Sequence, residues 1–474
     1  MKKNLIYNTI YQILILILPL ITVPYVSRVL GAEGIGVYSY TYSIAYYFMI
    51  IAMLGLNNYG NRTIAKTRED KEKMSKEFCS IYVFQIIMAT LMILLYALYV
   101  TICVEKYKTI AYIQIIYVIS SLFDINWFFF GIEKFKLTIT RNTIIKVLSL
   151  LLIFIFVKTP EDIRKYTLIL SGSMLISNII LFSFLRKYVN FVKVGWKDII
   201  KHFKPNVILF LPVVAVSIYK IMDKIMLGSL SSVAEVGYYE NAEKIIQVPI
   251  SIINALGTVM LPRVSNMISN AQEDNVKKLV KRTMPFVMFI TIPMIFGLFC
   301  VSGDFATLYF GNGFEKSGVL IKYLSLTIVF LAWGNVIRTQ YLIPKEKDRD
   351  YVISAVLGAI VNFVINWGLI PKYGAIGASF GTIMAEFVVA LYQSIAVKKE
   401  LELVTYMKDS VKFLVKAIIM FLFIKLIGNY IQGTAKKLVL QIILGSMIYG
   451  IMNIKYIYEE LGVRKIISKL IGGN

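Results

Sequence analysis

The sequence predicts an all-α polytopic membrane protein: 14 transmembrane helices, set as two parallel-repeat six-helix bundles plus two C-terminal helices. Three observations predict it. The 474 residues are 58% hydrophobic and 17% charged, with a mean hydropathy of +0.70. The apolar runs are continuous, as at Ile13-Leu14-Ile15-Leu16-Ile17-Leu18, whereas the strands of a membrane barrel would alternate over about ten residues. Short peptide cues also recur at fixed offsets, the mark of a duplicated unit.

A helix that crosses a bilayer needs about twenty mostly apolar residues. Such segments fall at roughly 5–29, 37–60, 79–103, 110–130, 138–157, 166–185, 206–230, 237–261, 283–302, 318–342, 351–370, 375–397, 411–430 and 437–458. The first is too long for a signal peptide and lacks a small-residue cleavage site, so it is expected to stay as helix one. Pro19, Pro24, Pro212, Pro249 and Pro293 lie inside spans, where each removes a backbone donor and permits a bend. The loops are too short to hold a second folded unit, so function has to be built between helices. With one histidine, His202 in an inner loop, and three scattered cysteines, neither a disulfide framework nor a metal centre is expected. A bridge between Cys103 and Cys300 is conceivable, but free thiols are the commoner case. No cofactor is expected.

The formal charge of +23 resembles a nucleic-acid signal until the cations are placed. With a cytoplasmic N-terminus, inner segments hold about 33 of the 51 Lys and Arg and outer loops about 10. Lys and Arg are retained on the cytoplasmic side during insertion, so both termini are expected inside. The basic patches are then topology signals beside anionic lipid headgroups, and no nucleic-acid partner is expected.

The repeat sets the domains. At an offset of 201, Gly36 matches Gly237, Tyr38 matches Tyr239 and Arg62 matches Arg263; at 213, Glu133-Lys134 matches Glu346-Lys347. Six helices separate the copies, and six is even, so both enter from the same side around an axis along the membrane normal. The expected division is 1–188 for the first bundle, 189–204 for a basic cytoplasmic linker, 205–398 for the second bundle, and 399–474 for the appended pair and basic tail.

Ionisable groups at membrane depth are costly and face a wet cavity or a partner. On the seventh span Lys220, Asp223 and Lys224 share one face by their i, i+3, i+4 spacing; the bland alternative is a self-neutralising pair with a lysine reaching for the interface. On the eighth, Glu240, Lys244, Gln247, Ser251, Asn254 and Thr258 form one polar line, with Glu243 beside it. Such a line faces water or protein, or serves as polar glue between helices. Arg28 on the first span, Asn57, Asn58 and Arg62 at the second, and Arg338 on the tenth complete the candidate cavity set. Its cations suit a phosphate or pyrophosphate; its acids are candidates to couple a proton or a sodium ion. Asp124, Asn126, Trp127 and Glu386 are further polar or amphipathic residues at depth. Tyr40, Tyr42, Tyr46 and Tyr47 can stack on sugars, though core packing is the commoner use of such a run.

Three stretches resemble the polysaccharide-repeat-unit flippases of the Wzx type: Arg-Val-Leu-Gly-Ala-Glu-Gly-Ile-Gly-Val-Tyr (28–38), Asp-Ile-Asn-Trp-Phe-Phe-Phe-Gly-Ile-Glu-Lys-Phe-Lys (124–136) and Tyr-Gly-Ala-Ile-Gly-Ala-Ser (373–379). The likeness runs over essentially the whole chain. It implies the V-shaped, MATE-like fold of the multidrug/oligosaccharidyl-lipid/polysaccharide superfamily. It also implies a non-enzymatic activity in the bacterial cytoplasmic membrane: moving an undecaprenyl-pyrophosphate-linked glycan to the outer leaflet, with a polysaccharide polymerase as a candidate partner. A lipid II flippase and a cation-coupled multidrug exporter are the rivals within the superfamily. A membrane polymerase or ligase would want a large outer loop that this chain lacks.

Overall fold

The computed structural model describes the backbone of residues 2–460; side chains are described from residue 18 onward, apart from those at 211, 212, 215, 216, 219 and 220. Among the described residues every regular element is helical. The first six α-helices are α1 Lys2–Met53, α2 Leu56–Thr67, α3 Lys71–Cys103, α4 Lys108–Ile113, α5 Ile115–Ile119 and α6 Asn126–Gly131. Next come α7 Phe135–Phe156, α8 Ile163–Ser183, α9 Trp196–Ile200, α10 Phe203–Leu230, α11 Val233–Ser269 and α12 Glu273–Phe310. The rest are α13 Glu315–Leu324, α14 Thr327–Ile337, α15 Asp348–Tyr373, α16 Ala375–Val397, α17 Leu403–Gly428, α18 Thr434–Met452 and α19 Ile454–Glu459.

Eleven stretches among the described residues are long and apolar enough to cross a membrane. The first two expected spans run on as one 52-residue helix, α1, bent at Gly31. There φ is +65°, a left-handed value that a side chain at this position would resist. The second span then breaks at Leu54 and Gly55 and continues as α2. The fourth and tenth spans are broken too: α4, α5 and α6 share one, while α13 and α14 with a π-helical turn at Arg338–Leu342 share the other. In a bilayer such breaks are tolerated where neighbouring protein re-satisfies the freed backbone groups. Gln85 does so here: its amide donates to the carbonyls of Ser121 (2.6 Å) and Asp124 (3.1 Å), and it accepts from the Trp127 indole at 3.0 Å.

The chain forms two compact units: Met1–Glu240 with Ile370–Ala375, and Asn241–Leu369 with Ile376–Asn474. The seventh span, α10, therefore groups with the first unit, although the repeat assigns it to the second bundle. Its contacts explain this: Tyr40 shares a 3.2 Å hydrogen bond with Ser229, and the Tyr47 hydroxyl donates to the Ser217 carbonyl at 3.2 Å. The core of the first unit is aromatic. Phe78 stacks on Trp127 with centroids 5.5 Å apart, and Phe128 meets Phe78 edge-on at 4.9 Å. Gly60 lets α2 lie against that indole; a Cβ there would sit 2.5 Å from Trp127 Cε3. Close approach over small residues is how helices associate in lipid, where no hydrophobic drive separates protein from solvent.

The repeat is visible in the backbone. Glu133 and Glu346 take left-handed φ of +58° and +56°, a conformation that costs a side-chain-bearing residue about 1 kcal/mol. Each closes the same pair of helix-ending bonds. Glu133 and Lys134 donate to the Phe130 and Phe129 carbonyls; Glu346 and Lys347 donate to those of Ile343 and Leu342. This nested pattern caps a helix C-terminus, here at matching points of the two copies and also at the end of α11, where Ala271 and Gln272 donate to the Ile268 and Met267 carbonyls.

Candidate functional site

In the first unit α10 and the start of α11 bring candidate residues together. Lys224 Nζ lies 2.6 Å from Glu240 Oε2, with both side chains largely withdrawn from solvent. Asp223, 2% exposed, accepts a 2.8 Å hydrogen bond from the Tyr239 hydroxyl. Lys224 thus pairs with a carboxylate of the next helix, a partner that the i, i+3, i+4 spacing on α10 does not supply. A charge at this depth is stabilised by an opposite charge and by hydrogen bonds, and removing one partner of such a pair costs about 3–5 kcal/mol. The Lys220 side chain lies outside the described residues, as does that of Pro212.

The same unit holds a close helix contact built on the repeat glycines. A Cβ on Gly36 would lie 1.6 Å from the Val233 carbonyl oxygen, and one on Gly237 would lie 1.9 Å from that of Ala32. The repeat-related glycines therefore meet reciprocally, backbone on backbone. Alongside, Gly228 lies under the Tyr40 ring, and Glu235 accepts from the Ala375 backbone N–H at 2.8 Å. Tyrosines of α1 pack on those of neighbouring helices, Tyr42 on Tyr117 of α5 at 4.9 Å and Tyr38 on Tyr166 of α8 at 5.0 Å between centroids. They serve the core here.

Arg28, Asn57, Asn58 and Arg62 are exposed. Arg28 lies three residues before the Gly31 bend; the other three lie on α2. In the second unit Lys244 is half-buried and Gln247 and Asn254 are exposed on α11. Asn254 accepts from the Asn335 amide at 2.9 Å. The Ser251 and Thr258 hydroxyls turn back to the carbonyls of Gln247 and Asn254, so part of the polar line is satisfied by its own helix. The Arg338 guanidinium lies 5.8 Å from the Tyr351 ring centroid, at the start of the π-helical turn.

Two features escaped the sequence reading. Arg141, to which the sequence assigns no role, is 7% exposed within α7 and donates to Asn126 (3.0 Å) and Asn142 (2.7 Å). Its neighbour Asp124 accepts from the Asn126 amide at 2.6 Å. The second is an apolar groove of about 540 Å³ between α11, α12, α17 and α18, bordered by Pro249, Phe289, Pro293, Met294, Met420 and Tyr449. It uses the face of α11 next to Lys244 and Gln247: Ile245, Val248 and Ile252 line it. One helix thus shows a polar face and, beside it, an oily one.

The cysteines are all free, with Cys79 buried and Cys103 exposed. Among the described residues no group of His, Cys, Asp and Glu could hold a metal ion. His202 is fully buried between the Tyr59 hydroxyl (2.8 Å from Nδ1) and Ser80 Oγ (2.8 Å from Nε2), with Glu77 at 3.8 Å. Burial pushes its imidazole down to about 4 against the pull of Glu77. It pins the linker onto α2 and α3.

Comparison with known proteins places these features. An O-antigen transporter candidate of Shigella dysenteriae is 25% identical over 402 residues, 84% of this chain and 100% of that protein. The capsular polysaccharide biosynthesis protein CapF of Staphylococcus aureus is 23% identical over 261 residues, 54% of this chain and 65% of that one. Among solved structures, the inward closed lipid II flippase MurJ superposes with a TM-score of 0.76 at 17% identity, covering 96% of this chain and 98% of that one. An inward-facing multidrug transporter of the MATE family, in the MOP superfamily, gives 0.56 at 14%, covering 78% and 94%. The fold is therefore that of this superfamily, and a MatE family model matches residues 209–367. The polysaccharide biosynthesis protein family model matches residues 1–268, more than half of the polytopic, all-helical chain described above, and the chain belongs to that family.

Proposed function

We propose that this protein is a flippase that moves an undecaprenyl-pyrophosphate-linked oligosaccharide repeat unit from the cytoplasmic to the outer leaflet, for capsule, teichoic acid or another surface glycan. The observation that carries it is α11, where Lys244 and Gln247 stand on a polar face and Ile245, Val248 and Ile252 line an apolar groove. A cargo with a sugar-diphosphate head and a long hydrocarbon tail has the same division. The groove takes part of the tail; Arg28, Lys220, Lys224 and Lys244 attract the pyrophosphate by charge-assisted contacts. Lys224 has then to exchange Glu240 for the cargo, which makes the carboxylates at 223 and 240 the candidates for ion coupling.

On this reading the two arms of α1 count separately and α10 and α17 also cross, giving fourteen spans with both termini cytoplasmic in the bacterial cell membrane. Helices 1–6 and 7–12 are the bundles of a V, helices 13 and 14 the appended pair, and transport is by alternating access. No covalent chemistry is required. The likeness to MurJ supports lipid II as the second cargo to test, because its head is also a sugar diphosphate. Names of relatives such as O-antigen transporter and capsular polysaccharide biosynthesis protein favour the repeat unit.

The test is reconstitution into vesicles and measurement of how fast a fluorescent undecaprenyl-pyrophosphate oligosaccharide becomes accessible on the far side. Lipid II and a cationic dye run in parallel. Movement of the oligosaccharide lipid above the protein-free rate is expected; movement of the dye alone would overturn the proposal.

A further inference from the structure

A second cavity, of about 640 Å³, opens where the end of α11, the start of α12, α17 and α19 converge in the second unit. Among the described residues five cations line it: Arg263, Lys278, Lys281, Arg282 and Lys412. Asp409 and Glu460 oppose them, and Glu402 lies 3.6 Å from Lys281. On α12 the spacing of 278, 281 and 282 puts three of the five on one helix face, and the other two arrive from α11 and α17.

The surroundings identify the ligand class. Lys412 lies 5.2 and 5.7 Å from the ring centroids of Phe413 and Tyr456, so its stem is held against an aromatic wall. On its opposite face α17 exposes Met407, Val411 and Leu414, side chains that belong against acyl chains. A basic cavity bounded by a lipid-facing helix sits at the boundary between headgroups and tails. We infer that it holds the headgroup of an anionic phospholipid with two phosphates, the chemistry of cardiolipin. The excess of two positive charges suits two phosphates, and basic pockets between membrane helices on the cytoplasmic side are known hosts of such headgroups. The connection between α11 and α12 is the segment whose charge already marks that side. The lipid would tie the appended α17 to α11 and α12. The site is independent of the cargo reading.

The test uses the full-length protein in neutral detergent, with thermal unfolding and native mass spectrometry as readouts. Cardiolipin, phosphatidylglycerol, phosphatidylethanolamine and inorganic pyrophosphate are titrated separately. Cardiolipin is expected to raise the melting temperature and stay bound, phosphatidylglycerol to act more weakly, and the other two to do neither. Each Lys or Arg near an anionic headgroup is worth about fivefold in affinity, so Lys278→Gln, Arg282→Gln and Lys412→Gln together should weaken cardiolipin about a hundredfold. Asp409→Asn should tighten it, a gain that no general loss of fold can mimic. Equal retention of phosphatidylethanolamine, equal protection by pyrophosphate, or cardiolipin binding indifferent to Asp409→Asn and Arg282→Gln would each overturn the inference.

Discussion

Adding one methyl group at Gly36 or Gly237 should open the contact between α1 and the start of α11. Built on the observed backbone, the new carbon at 36 would lie 1.6 Å from the Val233 oxygen and 2.5 Å from its carbonyl carbon; the one at 237 would lie 1.9 Å from the Ala32 oxygen. Ordinary contact begins near 3.4 Å, so the helices must separate by roughly 1.5 Å or more. The obstructing atoms are backbone and cannot swing aside. Overpacking of this kind costs about 1–3 kcal/mol, and the better helix propensity of Ala does not offset it, because position 36 is helical whether the contact is made or broken. That is a factor of about 5–150 against the closed contact. The assay is cross-linking in membranes with a short bifunctional thiol reagent, between cysteines placed at Ala32 and Val233 with the native cysteines changed to serine. Gly36→Ala should lower the yield several-fold, and Gly36→Val should lower it further. Undiminished cross-linking in the Val variant would refute the reasoning.

Three further outcomes follow from the same geometry. Because burial holds the His202 imidazole down near 4, the folded state favours the neutral ring. Its contribution, at most about 3 kcal/mol, is fully present above pH 6.5 and declines as pH falls toward 4; thermal unfolding between pH 4.5 and 7.5 should show that slope, and His202→Gln should flatten it. Lys224→Ala alone should lower membrane abundance, because it removes a cation paired with the withdrawn Glu240 carboxylate; Lys224→Gln with Glu240→Gln should restore abundance, measured by immunoblot, without restoring transport. Arg141→Ala should destabilise the first unit by about 3 kcal/mol through its lost bonds to Asn126 and Asn142, read as a lower melting temperature, with Arg141→Lys recovering part of it.

The helices were legible because lipid enforces them. A backbone in hydrocarbon must satisfy its own hydrogen bonds, so the run 375–397 reappears as α16 residue for residue, and 79–103 ends with α3, which begins earlier, at Lys71. Gly36 and Gly237 were legible as a repeat pair, but their meeting was not, because sequence spacing carries no information on which helices touch. The pairing of Lys224 with Glu240 was missed for the same reason: they sit on consecutive helices sixteen positions apart. The rule that i and i+3 or i+4 share a face put Lys220, Asp223 and Lys224 together, and it cannot see a carboxylate arriving from the next helix. The α11 line was over-read at Ser251 and Thr258, whose hydroxyls bond their own helix. Arg141 was hidden by a charge count that treats every cation near a span end as a loop residue. The groove left no signal of its own, since apolar residues facing lipid and those facing a groove look alike in sequence.

Rates of transfer decide the matter most directly. In vesicles carrying equal amounts of correctly inserted protein, wild type and the variant with Lys220→Ala, Lys224→Ala, Lys244→Ala and Glu240→Gln are compared for movement of the same labelled oligosaccharide lipid. The account predicts that the variant falls to the protein-free background while its unfolding temperature stays near that of the parent. Transfer at the parental rate by that variant would contradict it.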